Sequence, residues 1–290
     1  MRATLYRRQS HTQEAALQTP IYILLTLFGL LFGSFANVVI YRLPRGESLS
    51  YPVSHCPLCG TPIRWYDNVP VVSWVLLGRK CRACGARISA RYPTVELLGG
   101  VLWLAAGVQF GWSLRLPVAM LFYHVLLLLA FIDLDTKRLP NKLVALLFVI
   151  GLAGAVVAQF TGFAVVPLIG AGTGVLESPL ANSILGAAAS AGVALLIALA
   201  YAGVRKTQGF GMGDVKLLGA IGVFLGLYGL MTFFLGSLLG AIYGIAVARA
   251  KKGSLRDTFA FGPFLALGAV LVTMWGPTEW TWYVTLVTSR

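Results

Sequence analysis

Apolar stretches of about 20 residues recur along this chain, at about 20–41, 94–112, 115–132, 143–161, 180–204, 229–248 and 261–282. As a helix, that length crosses the ~30 Å hydrocarbon core of a bilayer. The chain therefore reads as an all-α polytopic membrane protein. A shorter stretch at about 215–228 brings the expected number of transmembrane helices to eight, with seven as the competing number. Its glycines, Gly219, Gly222 and Gly226, let neighbouring helices approach closely, as a buried, tilted or broken span requires. Composition agrees, because 58% of the residues are hydrophobic and 11% charged, against roughly 25% charged in soluble domains.

Orientation follows from Lys and Arg, which concentrate in short cytoplasmic loops. With eight spans and the N-terminus outside, 18 of the 23 basic residues fall in cytoplasmic segments, all but Arg2, Arg7, Arg8, Arg115 and Arg290. The net charge of +13 thus reflects topology and contact with anionic membrane lipid rather than nucleic-acid binding. Four regions are expected: a polar, poorly ordered tail at 1–19, a retained first transmembrane helix at 20–42, a cytoplasmic cysteine loop at 43–93 and a membrane core at 94–290. The Gly-rich loop at about 162–179 lacks Lys and Arg, which fits an outer-face connection.

All four cysteines lie in the 43–93 loop, as Cys56-Pro57-Leu58-Cys59 and Cys81-Arg82-Ala83-Cys84. Two such pairs offer four thiolates to one tetrahedral ion, the donor set of structural zinc. Gly60 and Gly85 follow the pairs and suit tight turns. The 21 residues between the pairs slightly exceed the common zinc-ribbon spacing. Disulfides or a redox motif are the alternatives, and a reducing cytoplasmic location argues against structural disulfides.

Most acids fall in tails or loops, but Glu96, Asp133, Asp135 and Asp214 stand at membrane edges, where ionisable groups are usually kept for function. Asp133 ends an apolar run from Val118 to Ile132 that only His124 interrupts. Asp135, two residues on, faces away from it if the helix continues. Asp214 opens the short span within Gly209-Phe210-Gly211-Met212-Gly213-Asp214-Val215-Lys216, whose glycines permit positive φ and close backbone approach. Both Asp133 and Asp214 are expected at the cytoplasmic face, where a pair sharing one proton is suited to acid–base cleavage of a peptide bond. Helix capping, or pairing with Lys137 or Lys216, is the plainer reading of each Asp alone.

Three segments together resemble the bacterial type IV prepilin peptidases, proteases of the glycine-x-glycine-aspartate type. They are Gly33-Ser34-Phe35-Ala36-Asn37-Val38 with Arg42-Leu43-Pro44, then Ile132-Asp133-Leu134-Asp135 leading to Leu139-Pro140-Asn141, then Gly209-x-Gly211-x-Gly213-Asp214-x-Lys216-Leu217. The cysteine loop matches through Asn68-Val69-Pro70, Ser73-Trp74 and Ile88-Ser89-x-Arg91-Tyr92-Pro93-x-Val95-Glu96. The resemblance implies an inner-membrane aspartic endopeptidase that removes the leader of type IV prepilins and type II secretion pseudopilins at the cytoplasmic face. It also implies N-methylation of the new N-terminus from S-adenosylmethionine. Asp133 and Asp214 match the proteolytic pair, Gly211, Gly213 and Lys216 the active-site loop, Asp135 a secondary position, and Cys56, Cys59, Cys81 and Cys84 the zinc (Zn2+) ligands. Glu96 is a candidate to hold an amine for methyl transfer, beside a capping or lipid-interface role.

Two other readings stand beside this one. An intramembrane aspartyl protease with other clients and no methyltransferase activity has no evident use for the cysteine loop. A zinc-stabilised membrane assembly or transport protein should show midplane acids or an internal repeat, and neither is evident.

Overall fold

In the first half of the chain, two long helices are brought together by glycine. The structure is a computed structural model that describes residues 2–162, 178–205, 211–251 and 260–288. Helix α1 (Arg2–Arg42) packs along α3 (Arg91–Phe110). A Cβ on Gly29 would lie 2.6 Å from the Gly99 carbonyl oxygen, and one on Gly33 would lie 2.7 Å from the Glu96 Cα. Without side chains at these positions the backbones touch, the usual means of packing helices in lipid. Beside this contact Phe32 and Trp103 pair at 4.7 Å between ring centres. The segment before residue 20, expected as a disordered polar tail, is instead the start of α1.

Between α1 and α3 lies the cysteine loop, with 3-10 turns at Leu43–Arg45 and Trp65–Asn68 and one short helix, α2 (Val72–Leu76). Arg42 is buried and donates to the carbonyls of Ser48 (3.0 Å) and Pro52 (2.7 Å), anchoring the first stretch of the loop. These elements form one compact unit, residues 1–116.

Residues 117–290 form the second unit. It comprises α4 (Arg115–Thr136), α5 (Asn141–Thr161), α6 (Pro179–Arg205), α7 (Met212–Leu225), α8 (Tyr228–Lys251) and α9 (Gly262–Thr288). At 14 residues, or about 21 Å, α7 falls short of the ~30 Å hydrocarbon core. It survives because neighbours cover it, and every residue from Leu217 to Leu225 is buried. Phe224 stacks on Phe122 of α4 at 4.5 Å, and a Cβ on Gly151 of α5 would press within 2.8 Å of the Phe224 ring.

Helix α6 approaches most closely. Gly186 touches the backbone of Gly222 and Gly226, leaving no room for a methyl group. The Ser183 hydroxyl donates to the Val223 carbonyl at 2.9 Å, and Asn182 Oδ1 accepts the Leu227 N–H at 3.3 Å. At Gly226 a φ of 58° ends α7 and lets α8 begin two residues later.

Eight apolar helices therefore stand where eight spans are expected, and the described residues contain no strand. Six are long and apolar enough to cross a membrane by themselves. The others are α7 and the apolar first half of α9, Gly262–Trp275. Most of the expected outer loop, 163–177, and Gly209 lie outside the described residues.

Candidate active site

The second unit gathers four helix ends at one place: the C-terminus of α4 and the N-termini of α5, α7 and α9. Asp133 lies in the last turn of α4, which continues to Thr136, and its side chain is buried. Its Oδ2 accepts the backbone N–H of Gly262, the first residue of α9, at 2.8 Å. Gly262 must be glycine there, since a Cβ would fall 2.8 Å from the same oxygen. A helix N-terminus has free N–H groups and a partial positive charge, so it suits a carboxylate.

Asp214 occupies the first turn of α7, half-buried, with Gly211 as the capping residue. The two acids stand at adjoining helix ends, because the start of α7 is tied to the turn that follows α4. The glycines around Asp214 are not there for positive φ as expected: Gly211 has φ of −74°, and Gly213 lies within the helix. They supply space instead. A Cβ on Gly211 would sit 3.0 Å from Asp214 Oδ2, and one on Gly213 would sit 3.3 Å from Leu139 Cβ. Gly213 thus lets the start of α7 lie against the turn that joins α4 to α5.

Lys216 completes the junction, donating from Nζ to Asn141 Oδ1 at 3.2 Å across 75 residues of sequence. Gly211, Met212 and Lys216 are exposed beside the half-buried Asp214, so this rim is open on one side. Asp135 is exposed, two residues past Asp133 on the same helix and turned from it. Gly262 and Asn141 contribute through a backbone N–H and an amide. Neither stands out by charge, although the Gly262-Pro263 pair at a helix start is a visible turn signal.

In the first unit the four Sγ atoms of Cys56, Cys59, Cys81 and Cys84 lie within 4.8 Å of one another, and all four are free thiols. The two pairs are built alike. Cys56 N–H bonds the Thr61 carbonyl and Gly60 N–H the Cys56 carbonyl; Cys81 N–H bonds the Ala86 carbonyl and Gly85 N–H the Cys81 carbonyl. Gly60 and Gly85 take φ of 69° and 70°, as the turns require. Cys56 and Cys84 Sγ are 3.9 Å apart, close to the roughly 3.8 Å edge of a tetrahedron with metal–sulfur bonds of about 2.3 Å. The hydroxyl and then the backbone of Thr61 draw the Cys59 thiol down to about 6. The donor set and spacing fit a metal ion.

Glu96, buried in the second turn of α3, accepts the Val71 N–H at 2.7 Å and a hydrogen bond from Ser34. Val71 has φ of 61°, an outlier for a β-branched residue. Glu96 therefore holds the strained entry to α2.

Comparison with known proteins matches the two units in turn. The Bacterial Peptidase A24 N-terminal domain matches residues 27–110, and the Type IV leader peptidase family matches residues 120–245. A prepilin leader peptidase/N-methyltransferase of Aeromonas salmonicida (strain A449) is 34% identical over 92% of this chain and 94% of its own length. Proteins of the same name from Neisseria gonorrhoeae and Bacillus subtilis (strain 168) are 34% and 32% identical, each over 90% of this chain and over 94% and 97% of their own lengths. No solved structure matches.

Proposed function

The chain belongs to the type IV leader peptidase family, and we propose that it is a prepilin leader peptidase and N-methyltransferase whose proteolytic pair is Asp133 and Asp214. The observation that carries this reading is that Asp133, in the last turn of α4, and Asp214, in the first turn of α7, stand at helix ends tied together by Gly213 against Leu139 and Lys216 on Asn141. One carboxylate takes a proton from a water molecule as the water oxygen attacks the scissile carbonyl carbon. The other carboxyl gives its proton to the carbonyl oxygen, forming a tetrahedral diol; the proton taken from water then passes to the amine nitrogen as the C–N bond breaks, and a diol hydroxyl returns its proton to the second carboxylate. Gly262 N–H orients Asp133 for this exchange, and the exposed Gly211, with no side chain, leaves room for an extended substrate backbone beside Asp214.

Prepilins and the pseudopilins of type II secretion present a polar leader followed by an apolar helix, so a cleavage site at the membrane edge suits them. That edge is the cytoplasmic side of the inner membrane, a reading that the distribution of Lys and Arg supports. The four-cysteine cluster takes zinc, which folds the loop around its two knuckles. The methyl donor is S-adenosylmethionine, which would supply an electrophilic methyl group to the amine freed by cleavage.

Mass spectrometry of a prepilin incubated with the purified protein and S-adenosylmethionine tests both activities at once. The expected product has lost its leader and gained the mass of one methyl group. An intact prepilin would overturn the proposal, and a cleaved but unmethylated product would leave only the protease.

A further inference from the structure

The loop that holds the cysteines contains a helix turned inside out. In α2 the residues facing the loop are the hydrogen-bonding ones. Ser73 Oγ donates to the Tyr66 carbonyl at 2.9 Å and accepts the Val69 N–H at 3.0 Å, while Trp74 Nε1 donates to the Ile88 carbonyl at 3.1 Å. The outward residues are apolar: Val72, Val75 and Leu76 are 51%, 61% and 80% exposed. Trp65, in the turn that Ser73 ties to α2, is 82% exposed. A water-facing helix has the opposite arrangement.

Depth explains the inversion. The Glu96–Val71 bond pins the entry of α2 to a residue five positions inside α3, about 7.5 Å along its axis. Because α3 is long and apolar enough to cross a membrane and its 20 residues span about 30 Å, no more than the hydrocarbon core, a contact this near its start puts α2 at the border between the polar layer and the hydrocarbon. Interfacial helices bury their apolar face about 5–10 Å into that boundary, and Trp favours it. Charge points the same way. Residues 43–93 carry seven Lys and Arg against two acids, and one of those acids, Asp67, is already paired with Arg82 at 2.7 Å. Arg79 and Lys80, both exposed, follow α2 after Leu77 and Gly78.

We propose that α2 and Trp65 form an interfacial anchor that seats the cysteine loop on an anionic phospholipid surface, with Val72, Val75 and Leu76 among the acyl chains and Arg79 and Lys80 among the phosphates. The anchor holds the loop flat against the bilayer and is independent of any activity assigned to the protein.

The test is photocrosslinking of the full chain in vesicles of phosphatidylethanolamine containing a minority of phosphatidylglycerol. A benzophenone side chain replaces Leu76 in one variant and Val75 in another. Both positions are exposed, so neither displaces a neighbour, and retained metal content reports a folded loop. The expected adducts are phospholipids at both positions, with phosphatidylglycerol enriched about fivefold over its share, equivalent to ~1 kcal/mol for one basic side chain near the surface. Crosslinks to peptides of residues 117–290 or to another protein, the absence of adducts, or lipid adducts in bulk proportion would each overturn the proposal.

Discussion

Replacing Gly262 by Ala isolates the contribution of one backbone hydrogen bond to the carboxylate pair. In the structure the added methyl carbon falls 2.8 Å from Asp133 Oδ2, 3.2 Å from Cγ and 3.3 Å from Cβ. Carbon and oxygen do not approach so closely without a bond, so Asp133 and the start of α9 must separate. The 2.8 Å bond from Gly262 N–H is then lengthened or lost. A hydrogen bond to a charged group contributes about 1.5–3 kcal/mol. If Asp133 needs that bond only to be held in its reactive position, kcat falls roughly 10- to 150-fold at ~1.4 kcal/mol per tenfold, with KM little changed. Gly192 supplies the control: a Cβ there meets nothing within 4 Å, so Gly192→Ala should leave kcat unaltered. The assay is steady-state cleavage of a prepilin in detergent, with thermal unfolding to confirm that both variants are folded. Wild-type kcat in Gly262→Ala would refute the role given to the α9 N-terminus.

Removing one cysteine should empty the metal site. Cys81→Ser is expected to carry far less than one zinc per chain and to become protease-sensitive between the two knuckles, since structural zinc supplies about 10–16 kcal/mol in small zinc-folded units; full zinc content would contradict the cluster. Gly33→Leu should lower the unfolding temperature in detergent, because its Cβ alone falls 2.7 Å from the Glu96 Cα and overpacking of this kind costs about 1–3 kcal/mol. Unchanged stability would mean that α1 and α3 do not depend on this contact.

Features carried by residue chemistry were legible before the fold was known. Length and apolarity mark the helices, and the pairing of charge with membrane edge marks Asp133 and Asp214. Thiol spacing marks the cysteine cluster, whose knuckles take the turns that Gly60 and Gly85 predict. Features carried by the backbone were not legible. Gly262 acts through its N–H, and nothing in a glycine tells which carboxylate it will meet 129 residues away. The same holds for Gly186 against Gly222, where the signal is the absence of a side chain. Gly211 and Gly213 suggest positive φ in the sequence, whereas Gly211 is extended at the cap of α7 and Gly213 is helical. The tail before residue 20 has no continuous apolar run to mark a span, yet the backbone of α1 extends through it. Glu96 was visible as an edge acid, but its partner, the strained Val71 N–H, exists only once the loop has folded back onto α3.

The central claim is that Asp133 and Asp214 act as one catalytic unit, and the most direct test is prepilin cleavage by Asp133→Asn and Asp214→Asn measured against the wild type at equal folded concentration. General acid–base groups contribute about 10²–10⁴-fold each, so each variant alone should lose about 10²–10⁴-fold in kcat while unfolding cooperatively like the wild type. Because the two share one reaction, the double variant should be little worse than either single one. Near-wild-type cleavage by either folded single variant would contradict the account.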